Sequence, residues 1–416
     1  MLCIMVLIPL GLSAQSQSDL ISAINGKLIP LKTITPTDDF SDLRPFKKIL
    51  KDKKVIGLGE SGHGVHEFFV FKLRLLEFLV KQCGVKALVT ETDFAGTQTM
   101  NDYVLYGKGD AHKGLTDMAD SVWTTQEFID MAEWVKTYND TQPLAHKVRI
   151  YGMDMTRGSS LVKQLRTGLA STNQLTPILT AGLQVMAKGG KLTDGDKAAI
   201  KSAVAELEQL KIDSSNEDAK RFQHLIRVAA EYADYVTQPA TIDPNEKNNL
   251  RDKYMAENAE WAYSVASGKI AIWAHSEHLA KKVNNTGIIR GGIYLDEKFK
   301  DGYYLFGLCF NNGTIKSIPN AANTSGVYEV PEVTMANNSD ALLARCRVPN
   351  FILDFKTASV DPLIKDYLHQ TVSSYFIGSN YAAKAGTDQQ YVQHKWGEDY
   401  DAIVYIRNVH AAEAVK

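Results

Sequence analysis

Short, almost wholly apolar runs alternate with longer amphipathic ones between residues 55 and 154. "KKVIGLG", "VKALVTETD" and "KVRIYGMDM" predict strands, because a strand buried on both faces reads as a continuous β-rich run. Between the first two, residues 66–83 place Phe69, Leu73, Leu76, Phe78 and Leu79 at helical spacing. Further helices are predicted over 95–106 and 125–138. Strand and helix in strict alternation predict a parallel sheet with crossover helices. From about 159 to 244 the strand pattern stops, and charged amphipathic helices take over, punctuated by "KGGKLTDGDK" and "LKIDSSNED". Strands return at "KIAIWAH", "GYYLFGLCF", "NFILDF" and "DAIVYIR". The fold class expected is therefore α/β: a mainly parallel central sheet flanked by helices, with a helical insertion or lid. By residue number, 15–158 form the first part of the core, 159–247 the insertion, and 248–416 the second part.

Composition narrows the function classes. The 416 residues are 44% hydrophobic and 23% charged, enough for a substantial core and without a disordered segment. A formal net charge of -2, with no Lys/Arg block, argues against a nucleic-acid partner. The opening "MLCIMVLIPLGLSA" predicts a cleaved export signal over 1–14, hence a periplasmic or secreted protein, or a cytoplasmic one if the segment is not a signal. No later apolar run is long enough to cross a bilayer, so no stable membrane insertion is expected. Cys3 would leave with the signal, and the remaining Cys83, Cys309 and Cys346 form no C-x-x-C pair. An odd set without that spacing supports neither a disulfide framework nor a thiolate zinc site, and points to cysteines used as small apolar residues.

Ligands in open α/β sheets sit beyond the carboxyl ends of the strands. Those ends carry Glu60 and His63, Glu91 and Asp93, Asp154, and His275. The first of them, "VIGLGESGHGVHEFF", admits three readings. Gly57, Gly59 and Gly62 fit a dinucleotide loop, with Glu91 where a ribose would be held, but Glu60 would then face the pyrophosphate with the wrong charge. Gly59-Glu60-Ser61-Gly62 approaches a nucleophile elbow, but His63 stands where the last glycine belongs, and Ser61 also suits a helix cap. The third reading takes Glu60-x-x-His63 with His275-x-x-His278, each pair three residues apart and on one face if helical. A carboxylate that fixes a histidine tautomer makes the ring a base for water. The same groups could ligate a divalent metal, although neither spacing is H-E-x-x-H. Each also has a plain structural use, as a hydrogen-bonded packing histidine or as an acid near a helix amino end.

The segment "GLGESGHGVHEFFVFKLRLLEFLV" resembles the opening motif of the erythromycin esterase family. "VTETDF", "WTTQEFIDMAEWVKTYN", "IYGMDM", "RDKYMAENAEW", "IAIWAHSEHLAKK", "YFIGSNY" and "YDAIVYIR" resemble its later blocks, in the family's order. The resemblance implies an α/β hydrolase of macrocyclic lactones that forms no covalent serine intermediate and uses no cofactor or bound metal. By motif position, His63 is implied as general base with Glu60 as its partner, and Glu91 and His275 complete the catalytic set. Lys72, Asp154, Arg251, Asn258 and His278 are implied as substrate-binding residues. In this reading His275, with Lys72 or Arg251, stabilises the oxyanion or protonates the leaving alkoxide. The implied partner is a small-molecule ester or macrolide. Alternatives left open are a metal-dependent hydrolase of another ester using the same cluster, and a non-catalytic dinucleotide module. Ser276 and Gly62 depart from the family's usual residues beside the late histidine and before His63.

Overall fold

A computed structural model describes residues 14–118, 122–170, 174–213, 216–317, 326–379, 381 and 390–416. The predicted export signal lies outside the described residues apart from Ala14, which opens a helix over Ala14–Lys27. Eleven strands are described: β1 (Ile29–Pro30), β2 (Val55–Glu60), β3 (Val85–Asp93), β4 (Arg149–Asp154), β5 (Lys269–His275), β6 (Tyr303–Ser317), β7 (Gly326–Val330), β8 (Asn350–Asp354), β9 (Val372–Tyr375), β10 (Tyr391–His394) and β11 (Ala402–Val409). The main sheet runs β1-β8-β11-β6-β2-β5-β3-β4, with β7 added to β6. From β11 to β4 every neighbouring pair is parallel. "NFILDF" became β8, which enters antiparallel to β11, and β1, β7, β9 and β10 were not anticipated.

Alternation along each strand builds the two faces. Ile56 and Leu58 of β2, Trp273 of β5 and Phe306 of β6 join one apolar cluster, while Val55, Ile272 and Leu305 join the other. The first face is covered by helices over His66–Phe78, Thr97–Tyr106 and Gln126–Asp140. The second is covered by the helices over Ala14–Lys27, Pro244–Val265 and Gly291–Phe299. The stretch predicted as one helix over 66–83 finishes in a π-turn over Leu79–Cys83, closed by Gly84 at φ +80°.

Four helices, Gly158–Ala170, Pro177–Lys188, Asp194–Glu208 and Glu217–Thr237, follow β4 and enclose an apolar cluster of their own. Phe94, Ala95 and Met155, just beyond the tips of β3 and β4, pack into it. The helical layer is thus seated on the carboxyl edge of the sheet. Strand register levels the tips there: Glu60 pairs with His275, and Asp93 with Asp154. Cys309 and Cys346 are buried as expected, whereas Cys83 is half-buried.

Candidate active site

The tip of β2 is shaped by close backbone approaches. A Cβ on Gly59 would meet Ser276 Oγ at 2.7 Å and Ser276 Cα at 3.1 Å, so only glycine lets β2 lie against the end of β5. Gly57 and Gly59 sit inside the strand itself, not in a loop, which removes the geometry a dinucleotide pyrophosphate requires. After Glu60 the chain crosses toward residue 377: Ile377 N donates to Ser61 O (2.7 Å), and His63 N donates to Ile377 O (3.3 Å). Gly64 takes φ +65° with its α-carbon against the Lys316 carbonyl, and the helix begins at His66. Glu60 and His63 are therefore brought together by a turn, not by one helix face as their spacing suggested.

His63 Nδ1 lies 2.7 Å from Glu60 Oε1, and Lys72 Nζ donates to Glu60 Oε2 at 2.5 Å. A carboxylate at Nδ1 holds the proton there, which leaves Nε2 as the basic nitrogen. Among the described residues Nε2 of His63 has no hydrogen-bond partner. Lys72 is completely buried, with Nζ 5.0 Å from the centre of the Trp273 ring. Burial lowers its ammonium to about 8, against the opposing pull of Glu60.

A second network forms at the tips of β3, β4 and β5. Glu91 Oε2 accepts from His275 N at 2.8 Å, and its Oε1 lies 3.1 Å from His278 Nε2. His278 Nδ1 lies 2.7 Å from Asp252 Oδ1. Burial presses the His278 ring toward neutrality, but Asp252 and Glu91 outweigh it and raise the ring to about 9. Burial likewise opposes ionisation of Glu91, yet His278, His63 and Arg251 hold it well below the usual carboxylate range. Arg251 donates from Nε (3.0 Å) and Nη2 (2.6 Å) to Asp154 Oδ2, with Nη2 3.7 Å from Glu91 Oε1. Among the described residues its Nη1 approaches only His278 Nε2, at 3.5 Å, and two protonated nitrogens form no bond.

A cavity of about 100 Å³ opens between these groups, lined by His63, Glu91, Asp93, Trp123, Asp154 and Arg251 among others. The Trp123 ring centre is 5.1 Å from that of His63, and Phe69 stacks behind it at 5.8 Å. His275 is placed 4.9 Å from His63, ring to ring. Both of its ring nitrogens are occupied: Nδ1 accepts from Glu277 N at 3.3 Å and Nε2 donates to Ile377 O at 3.2 Å. Burial, then the neighbouring His63, keeps this ring neutral.

Of the residues expected to bind substrate, Asp154 and Arg251 line this cavity, and Lys72, Asn258 and His278 do not. Lys72 sits behind Glu60 with no exposed surface and therefore supports the carboxylate instead. Asn258 is also fully buried; it donates to Met153 O and Glu231 Oε2, both at 3.0 Å, and His224 Nε2 lies 2.7 Å from its Oδ1. It ties the helical layer to β4. His275, expected to stabilise the oxyanion or donate a proton, has both ring nitrogens bonded to backbone groups and does not line this cavity. Ser61 Oγ is buried without a hydrogen-bond partner, so no base activates it as a nucleophile.

Sequence reading passed over three groups. Trp123 opens the family-like block "WTTQEFIDMAEWVKTYN", and Asp252 lies in "RDKYMAENAEW" beside Arg251. Ser374, His394 and Asp399 form a serine–histidine–aspartate sequence of contacts, with 2.8 Å from Oγ to Nε2 and 3.6 Å from Nδ1 to Oδ2. All three are buried, and none lines the cavity. Burial holds the His394 ring down to about 3 and raises Asp399 to about 7, so the aspartate gives no support to an imidazolium. Among the described residues no group of three or more His, Cys, Asp or Glu is arranged to hold a metal ion. His63 is paired with Glu60, His278 with Glu91 and Asp252, and Asp154 with Arg251, whereas His275 is bonded to backbone groups.

The parallel strands of this α/β sheet end in carboxylates and imidazoles gathered along one edge, and comparison with known proteins assigns the chain to a family. The family model for erythromycin esterase matches residues 80–409, and the chain belongs to that family. Its family and the names of its relatives place it among hydrolases. The match takes in Glu91, Asp154, Arg251, His275 and His278 and begins after the Glu60–His63 turn. Erythromycin esterase type II of Escherichia coli is 21% identical over 381 residues, covering 81% of this chain and 89% of that one. A crystal structure of a protein from Bacillus cereus superposes with a TM-score of 0.85 at 23% identity, covering 96% and 99% of the two chains. A mutant of the erythromycin esterase EreC in its open conformation superposes with a TM-score of 0.63 at 15% identity, covering 91% and 96%. These structural likenesses show the shared fold.

Proposed function

We propose that the chain hydrolyses carboxylic esters, macrocyclic lactones among them, by direct attack of a water molecule that His63 deprotonates. The observation that carries this reading is the 2.7 Å contact of His63 Nδ1 with Glu60, which leaves Nε2 as the basic nitrogen of a ring that lines the cavity. Glu60, held on its other oxygen by Lys72, keeps the tautomer and stabilises the imidazolium as it forms. The water oxygen adds to the ester carbonyl, and the developing oxyanion is met by Arg251 through Nη1, the guanidinium nitrogen not spent on Asp154. Glu91 and Asp154 hold that guanidinium in place. The family and the name of the Escherichia coli relative favour a macrolide lactone. Action outside the cytoplasm is part of the proposal and rests on the apolar segment over 1–14.

One observation favours a second reading of the substrate. Pockets that enclose drug-sized ligands are roughly 300–1,000 Å³, and this cavity is about 100 Å³. A slim ester that inserts only its carbonyl end fits such a space; a macrolide requires the surrounding layer to open. The purified mature chain is incubated with a fourteen-membered macrolide and with small alkyl esters, with and without a chelator, and products are weighed for gain of one water. Macrolide opening that survives chelation supports the first reading, and hydrolysis of small esters alone supports the second. Loss on chelation with rescue by added metal overturns the metal-free mechanism. No water gain with any ester overturns the proposal.

A further inference from the structure

Water attack produces an alkoxide that needs a proton, and the groups first expected to supply it are engaged elsewhere. His275 has both ring nitrogens bonded, and Lys72 lies behind Glu60. Three carboxyls line the cavity besides the imidazole of His63: Glu91, Asp154 and Asp93. Glu91 is matched by His278, Arg251 and the His275 amide; Asp154 is matched by Arg251 and by the amide of Thr156 at 2.9 Å. Asp93 differs from both. Gly96 N and Ser160 Oγ each bond to its Oδ2 at 2.5 Å, and its Oδ1 has no partner among the described residues.

We propose that Asp93 is the general acid of the reaction and delivers its proton to the leaving alkoxide of an alkyl ester. This rests on the general-base reading given above. Asp93 and Asp154 are register partners at the tips of β3 and β4, and two neighbouring carboxyls given unlike surroundings take unlike roles. Asp154 has a guanidinium on one oxygen and an amide donor on the other, which suits it to holding Arg251 in place. Asp93 faces the Gly96 amide, the Ser160 hydroxyl, Arg157 and the charge of Asp154, with His63, Glu91 and Arg251 around the same cavity. Burial is the largest influence and raises its carboxyl to about 7, against the Ser160 and Gly96 hydrogen bonds and the Arg157 charge, with Asp154 adding to the rise. A carboxylic acid protonated near neutrality is the donor an alkoxide needs.

The step balances. His63 Nε2 takes one proton from water while the water oxygen bonds to the carbonyl carbon. Collapse of the tetrahedral adduct breaks the bond to the alkoxy oxygen, which takes the Asp93 proton and leaves as alcohol. The imidazolium of His63 then returns a proton to the Asp93 carboxylate through solvent, and acid plus alcohol remain.

The test uses two esters of one acyl group, with a simple alcohol or with nitrophenol as the leaving group. A nitrophenolate departs without a proton, whereas an alkoxide does not. Asp93→Asn is expected to lower kcat on the alkyl ester by about 10²–10⁴-fold and to leave the nitrophenyl ester within a few fold, with the fall of the alkyl-ester profile near pH 7 lost and the later fall above pH 8, set by Lys72, retained. His63→Ala is expected to impair both. Equal loss on both esters, or loss on neither, overturns the role of Asp93 while leaving that of His63 intact. Failure of the unaltered chain on both esters overturns the general-base reading and this assignment with it. Should Asp93→Asn not fold, a leaving-group series on the unaltered chain decides: shallow dependence on alcohol acidity supports proton donation, and steep dependence contradicts it.

Discussion

Glu60 is held from two sides: His63 Nδ1 lies 2.7 Å from one carboxylate oxygen and Lys72 Nζ donates to the other at 2.5 Å. The pairing makes Glu60 a positioning residue, since its completely buried carboxylate reaches no substrate. Glu60→Gln removes the charge that stabilises the imidazolium and can present an amide N–H to Nδ1, favouring the wrong tautomer. The expected loss in kcat is on the order of 10²–10⁴-fold, with KM little changed and circular dichroism preserved. Steady-state kinetics of the purified variant checks this.

Lys72 gives a prediction about pH. Burial lowers its ammonium to about 8, so above that pH Glu60 loses its cation. Arginine stays charged throughout the accessible range. Lys72→Arg is therefore expected to extend activity to more alkaline pH if the wider head is accommodated, and Lys72→Met to weaken activity at every pH. Profiles of kcat/KM from pH 6 to 10 distinguish the three proteins.

His278 owes its raised value, about 9, to Asp252 and Glu91 acting against burial. A raised histidine stabilises the fold fully below its unfolded value near 6.5, and that contribution is lost as pH rises through 9. Asp252→Asn removes one of the two carboxylates, so the ring is expected to titrate lower and the alkaline loss of stability to begin earlier. Histidine NMR titration reads the first effect and thermal melts against pH the second.

Asp340 is buried, accepts from Tyr375 N at 2.6 Å on Oδ2, and leaves Oδ1 without a partner. Burial raises its carboxyl to about 8. Such a group favours the fold while protonated, so stability falls as pH rises from the unfolded value of 3.8 through 8. A tenfold change in an ionisation equilibrium is worth about 1.4 kcal/mol, which makes the effect several kcal/mol at most. Asp340→Asn is expected to raise Tm relative to the unaltered chain at pH 8–9 and to change it little near pH 4.

The serine alternatives have a clean test. Ser61 Oγ has no base beside it, and Ser374 lies outside the cavity. Ser61→Ala and Ser374→Ala are expected to keep activity within a few fold and to form no acyl-enzyme. Loss of turnover in either, with the fold intact, would reinstate a covalent mechanism.

Much of this architecture is legible in residue order because parallel strands buried on both faces are written as continuous apolar runs, and their polar tips stand out against them. "KKVIGLG" and "KIAIWAH" mark β2 and β5, whose ends carry Glu60 and His275, and these two prove to be register partners. The Glu60–His63 contact is local and follows from three-residue spacing, although a turn makes it and not a helix. What escaped reading depends on distance along the chain. Asp252 meets His278 across 26 residues, and Ser374 meets His394 across 20. Burial also escapes a linear reading: Lys72 and Asn258, expected as substrate-binding residues, are both sealed away by packing. Asp93 was visible two residues from Glu91, but only the hydrogen bonds on one of its oxygens separate it from its neighbours. β9 and β10 are four residues each, too short for a period to show.

The central claim is that His63 Nε2 deprotonates the attacking water. Its most direct test compares kcat/KM of the unaltered chain and of His63→Ala on one hydrolysed ester, with and without added imidazole. A fall of at least about 10²-fold is expected, with partial recovery in imidazole that grows with the fraction of free base. Retention of activity within a few fold in His63→Ala, in a folded protein, would contradict the claim.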